Sequence, residues 1–257
     1  MRNDSRSTTH EAEPAQGRRA GLLMLAVFAG AQLLWFASAV VVSVAFSVGE
    51  GPLPLPALVA LLVVPTTLAA LAAVAGTALV GGGARRGRVA RELVFRRRSR
   101  DVGLGAAIGF GGLVVTIPAA AVWSSWVGAD DATSAVGEAF GGRTLAPATA
   151  IAVFLFVWLL APLGEEVLFR GVLWRALEHW RWNRWVIFAV TGVLFSIAHL
   201  ELLRTPLLLV ISIPVGLARM FTGNLLTSVV AHQANNFLPA LALLLITTGG
   251  LPAVPGE

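Results

Sequence analysis

A carboxylate pair, Glu165 and Glu166, stands at the end of a stretch, residues 144–164, that carries no charged side chain at all. Arg170 follows four residues after Glu166, in the segment PLGEEVLFRGVLWR at 162–175. About 20 consecutive apolar residues are enough to cross a bilayer as a helix, and ionisable groups at that depth are costly enough to mark a site. Two further pairs share the same spacing: Phe195 with His199, and His232 with Asn236. Four residues is one helical turn, so each pair lies on one face. The chemistry these side-chain types support is hydrolysis. A carboxylate takes a proton from water, while imidazole and carboxamide donors, or a metal, hold the oxyanion that develops. Two imidazoles and one carboxylate (His199, His232, Glu165) with water in the open position would also suffice for a catalytic zinc. The metal question is open at this point.

Each residue alone has a plainer reading. Glu166 and Arg170 make a structural ion pair at a helix end, a single histidine between helices is a hydrogen-bonding link, Asn235 and Asn236 cap or join helices, and Arg219 snorkels to the inner surface. Their joint occurrence in order on three separate apolar runs favours a site. Depth agrees with that. Counting about 1.5 Å per residue from the inner boundary puts Glu165 about 15 Å, His199 about 21 Å and His232 about 12 Å along their helices.

The elements that must position them are membrane helices. The chain of 257 residues is 56% hydrophobic and 13% charged, with a mean hydropathy of +0.78, which makes it an all-α polytopic membrane protein. There is no cysteine, so thiolate catalysis, disulfides and cysteine-bound zinc are excluded. The basic residues are all arginine, and eight of the 19 lie within 85–100 between two apolar runs. That is a cytoplasmic loop under the positive-inside rule rather than a nucleic-acid surface.

In chain order, residues 1–19 read as a disordered cytoplasmic tail. A first span follows from Ala20, a second over about 56–80, the Arg-rich loop over 81–101, and a third over 102–129 whose glycines (Gly103, Gly105, Gly109, Gly111, Gly112) allow close helix approach. The loop 130–143 is acidic and suits the outside. The fourth span runs from about Pro147 into the Glu165 segment, and 172–185 has the mixture of a helix lying at the interface. Residues 186–200 and 206–221 give shorter spans. The uncharged stretch 220–256 holds one helix or two, with Pro239 as a candidate break. The expected total is seven or eight spans around an intramembrane cavity, with residues 20–143 forming an N-terminal part, 144–250 the reactive core and 251–257 a tail.

With those elements in place, the three motifs resemble a known family. Glu165-Glu166-Val-Leu-Phe-Arg170 is similar to its EExxxR motif, Phe195-Ser-Ile-Ala-His199 to its FxxxH motif and His232-Gln-Ala-Asn-Asn236 to its HxxxN motif. The family is the CPBP intramembrane proteases, which include the type II CAAX prenyl endopeptidases and bacterial Abi-type proteins. The resemblance covers about residues 145–245. It implies peptide-bond hydrolysis in a cavity open to the cytosolic side. It also implies Glu165 as the base, His199 as its assistant, and His232 with Asn236 as oxyanion or metal-holding groups, supported by Glu166, Arg170 and Phe195. The partners implied are membrane lipid and a membrane-associated peptide or protein. No HExxH zinc motif, GxGD aspartyl motif or G-x-S-x-G elbow competes with this set. A transporter or bacteriocin-immunity scaffold using the same buried polar residues is the reading from another class.

Overall fold

A computed structural model describes residues 8–46, 53–80 and 87–251, without the side chains of residues 8–15, 129 and 130. The described chain is helical throughout. The first helix, α1 (Thr8–Phe46), and α2 (Leu55–Val80) pack along each other as a hairpin. A single turn and a half, α3 (Arg88–Glu92), leads into α4 (Ser99–Val127), and the short α5 (Ala129–Ala132) and α6 (Ala135–Phe140) occupy the far end. Residues 81–86 of the Arg-rich loop and residues 252–257 of the expected tail lie outside the described residues.

The fourth apolar segment is one continuous helical rod from Pro147 to His179, but it is not uniform. It comprises α7 (Pro147–Leu155), a π segment at Phe156–Leu160, α8 (Ala161–Glu166), a second π segment at Val167–Leu173, and α9 (Trp174–His179). Proline at its first position supplies a fixed φ where no backbone N–H partner is needed. Three helices follow: α10 (Arg184–Ala198), α11 (Thr205–Thr222) and α12 (Leu225–Thr247). Asn183 and Asn224 cap α10 and α12, their side chains accepting from the N–H of Trp185 at 2.8 Å and of Leu226 at 3.2 Å, so an orphan donor at each helix start is satisfied. Gly223, at φ 58°, ends α11 and turns the chain into α12, a left-handed position that glycine occupies without a Cβ penalty.

The rod is the axis of the packing. Its α8 turn lies between α2 and α12, α9 rests on α1, and α4 covers α11 and α12. The main core is built on the second π segment, where Leu168, Phe169, Val172 and Leu173 are buried together with Met24 of α1, Phe195 of α10 and Val229 of α12. A smaller cluster of Phe140, Leu145, Ala150, Val153 and Leu243 closes the opposite end.

Three expectations change. Among the described residues six helices are long and apolar enough to span a membrane, against the seven or eight expected. One difference is α10, whose 15 residues rise only about 22 Å. Another is α12, a single helix of 23 residues that runs through Pro239. Proline is tolerated there because membrane helices can satisfy the freed carbonyl locally, and Pro239 faces outward from the packed core. The interfacial helix expected at 172–185 is instead the buried end of the rod, with Val172, Leu173, Trp174 and Leu177 nearly inaccessible. The tail expected over 1–19 is helical from Thr8 onward, as the continuation of α1 away from its apolar part.

Candidate active site

The EExxxR spacing spans the junction of α8 with the second π segment. Glu166 is fully buried, and Arg170 Nη1 donates to its Oε1 at 2.9 Å, the two side chains being 0% and 1% exposed. Glu165, the adjacent residue, points another way and stays 25% exposed. Neighbours in a helix differ by about 100°, so one glutamate is sealed in an ion pair while the other faces the open side.

His232 of α12 joins the two. Its Nδ1 lies 3.1 Å from Glu166 Oε1, and its Nε2 lies 3.7 Å from Glu165 Oε2. The carboxylate of Glu166 accepts, so Nδ1 carries a hydrogen, and in the neutral imidazole Nε2 then presents its lone pair toward Glu165. The Nε2 separation is too long for a direct hydrogen bond and fits a bridging water.

Phe195 is the shared wall. The Arg170 guanidinium sits 4.6 Å from its ring centroid, and the rings of Phe169, His199 and His232 meet it edge-on at 5.4, 4.7 and 5.6 Å. His199 caps α10, its Nδ1 donating to the Phe195 carbonyl at 2.8 Å. That bond sets the tautomer and leaves Nε2 free as an acceptor. Its ring meets the cluster's shared wall, Phe195. Asn236 is turned toward the rod, where Nδ2 donates to the Val157 carbonyl at 3.5 Å, and Gln233 Nε2 does the same to Leu159 at 3.0 Å.

Glu165, Glu166, Arg170, Phe195 and His232 are therefore brought together, with His199 and Asn236 at the edge. The zinc set of Glu165, His199 and His232 fits poorly. Among the described residues no three His, Cys, Asp or Glu side chains gather closely enough to hold an ion.

An open apolar pocket of about 460 Å³ lies between α2 and the α3 segment, lined by Val74 and Ala78 of α2, Leu93, Phe95, Leu225 and Val167.

Two residues outside the three motifs matter here. Asn224, 1% exposed, holds the start of the His232 helix to the Arg-rich loop: it accepts from Arg96 N at 3.0 Å and donates to Arg96 O at 2.9 Å and Asp101 at 2.7 Å. Arg219 does not snorkel. It is 1% exposed, and its Nε donates to the Arg170 carbonyl at 2.9 Å. A lone arginine in the last turn of an apolar helix reads the same whether it points out or in, so only its position inside an otherwise uncharged run hinted at this.

Residues 147–238 match the family model described as type II CAAX prenyl endopeptidase Rce1-like. The chain is also similar to an uncharacterized 24.3 kDa protein of Escherichia coli, 34% identical over 87 residues, which are 32% of this chain and 40% of that protein. The chain thus spans well under half the length of that curated relative. No solved structure matches.

Proposed function

We propose, from the match of residues 147–238 to the Rce1-like family model, that this chain hydrolyses a peptide bond presented beside the membrane, with Glu165 as general base. The observation that carries this is the 3.7 Å gap between Glu165 Oε2 and His232 Nε2, two acceptors facing each other when the imidazole is neutral. A water between them donates one hydrogen to each and keeps its lone pair free for a carbonyl carbon. Glu165 takes the proton as the C–O bond forms. The same carboxyl then delivers that proton to the leaving nitrogen as the C–N bond breaks, giving an amine and a carboxylic acid, whose remaining proton passes to solvent.

Glu166 and Arg170 set this arrangement rather than react. The buried carboxylate fixes the His232 tautomer, and Arg170 neutralises the carboxylate. Asn236 commits one amide hydrogen to Val157 and has a second for the oxyanion, while His199 Nε2 is free for the substrate. The substrate class is a membrane-associated peptide or protein, of the prenylated CaaX type by family.

The test is cleavage of an internally quenched peptide ending in a prenylated CaaX sequence by the purified protein. Wild type should cleave it, and Glu165→Gln should lower turnover about 100-fold or more while remaining inserted and monodisperse. Wild-type turnover in Glu165→Gln removes Glu165 as the base. No cleavage by wild type, with no change in membrane-proteome peptide termini between wild type and Glu165→Ala, favours the transporter or immunity-scaffold reading.

A further inference from the structure

The rod that carries the carboxylates departs from α geometry on both sides of them, and a departure of this kind leaves a carbonyl behind. In the first π segment the N–H of Ala161 reaches back five residues to the Phe156 carbonyl. The carbonyl it passes over, Val157, receives Asn236. In the second, the N–H of Trp174 bonds the carbonyls of Phe169 and Gly171 and skips the one between, Arg170. That carbonyl is in the most buried part of the molecule, where Leu168 through Leu173 are all inaccessible, so water does not serve it. Arg219 of α11 does, at 2.9 Å. Its guanidinium also lies 5.7 Å from the centroid of the Trp174 ring, whose indole N–H is in turn held by Glu178 at 2.7 Å.

We infer that Arg219 is a positioning residue for the reaction: it takes the place of the missing backbone N–H at the Arg170 carbonyl and so holds the π register that aims Glu166 and Arg170 at His232. This rests on the proteolytic reading of the same site. A polar group without a partner at this depth is costly. Without the Arg219 donor the segment gains by relaxing to α geometry, which restores the carbonyl's bond. Such a relaxation turns the chain on one side relative to the other by about one residue, about 100°. The carboxylates on one side and α9 on the other would then no longer both meet their partners. On the α9 side, that partner is Glu92 of α3, 2.8 Å from His179.

The experiment uses three forms of the full-length protein: wild type, Arg219→Lys, which keeps a donor and the charge, and Arg219→Met, which keeps only volume. Each is assayed for kcat and KM on the quenched prenylated peptide. Each is also prepared with Glu92→Cys and His179→Cys in the natural cysteine-free background and treated with a short bifunctional thiosulfonate reagent. The expected result is a kcat for Arg219→Met about tenfold or more below wild type, with KM within about twofold, and a several-fold lower cross-linking yield. Arg219→Lys should recover both. Wild-type kcat and cross-linking in a folded Arg219→Met overturn the assignment, as does an Arg219→Lys that folds yet behaves like Arg219→Met. Should Arg219→Met fail to fold, Arg219→Lys decides alone, since its ammonium can reach the carbonyl but cannot lie flat on Trp174. If the wild type cleaves no peptide, the proteolytic reading falls and the cross-linking comparison still decides whether Arg219 holds the register.

Discussion

Two glutamates side by side have acquired opposite situations, and the difference is testable by the same isosteric change at each. In Glu166→Gln the Arg170 guanidinium loses its ionic partner at 2.9 Å in a fully buried place. Breaking such a pair from one side costs about 3–5 kcal/mol, so the thermal unfolding midpoint should fall sharply. Glu165→Gln, at a partly open position with no arginine against it, should leave the midpoint near wild type while removing turnover. Equal losses of stability in the two would contradict the division of labour. Phe195 belongs with the stability residues: it is the ring that Arg170, Phe169, His199 and His232 all touch, and Phe195→Ala should cost about 3–5 kcal/mol. Metal dependence is also tested at this scale. Because no three potential ligands gather among the described residues, exhaustive chelation is expected to leave turnover unchanged. Stoichiometric zinc in the purified protein that is lost from His232→Ala would reverse that conclusion.

At the scale of elements, α4 approaches α12 so closely that two of its glycines have no room for a methyl group. A Cβ on Gly109 would lie 2.3 Å from the Ala231 carbonyl oxygen, and one on Gly105 would lie 2.7 Å from that of Thr227. Gly103 and Gly111, on the other face, meet nothing within 4 Å. Gly109→Ala should therefore push α12, with His232 one residue beyond the contact, and destabilise by about 1–3 kcal/mol. Gly111→Ala should be neutral or stabilising by up to about 1 kcal/mol, as read by thermal unfolding in detergent. The glycine content of this span was legible in the sequence, but which glycines matter was not, because that depends on the rotation of a helix whose neighbours are unknown. The i, i+4 motifs were legible for the opposite reason: spacing within one helix is local. The π segments were not legible because residues 168–173 are buried on every side, so no polar stripe marks a change of period. Between elements, α3 is fastened to α9 by Glu92 against His179 and Arg175. The hydrogen bond from His179, with the Arg175 charge adding to it, holds the Glu92 carboxyl below its usual 4.5 despite partial burial. A folded value below the unfolded one means this fastening is fully present above pH about 4.5 and is lost as pH falls through the lowered value. The stability this fastening contributes, read by thermal unfolding, should be lost only on that acid side, and Glu92→Gln should remove the dependence.

Over the whole molecule the helix ends sort into two groups, and the sorting predicts a topology. The Arg-rich loop contacts the start of α12 through Arg96 and Asn224, with Val94 accepting from the N–H of Leu225 at 3.1 Å. Glu201, in the turn after α10, accepts from the N–H of Ala135 at the other end, 3.0 Å away. So α10 runs between the same two ends as its longer neighbours although its rise of about 22 Å is shorter than a hydrocarbon core of about 30 Å. Local thinning of the bilayer is the expected accommodation, and it lies beside the reactive cluster, since α10 supplies Phe195 and His199. The arginine excess predicts that the 87–100 end, and the N-terminal end of α1 with it, faces the cytoplasm. Because the natural chain has no cysteine, single substitutions report their side without background. Arg98→Cys should resist a membrane-impermeant maleimide in intact cells and react after permeabilisation. Glu138→Cys, exposed on α6 at the opposite end, should react in intact cells. Labelling of position 98 but not 138 from outside would invert the molecule, and with it the side from which Glu165 receives a substrate.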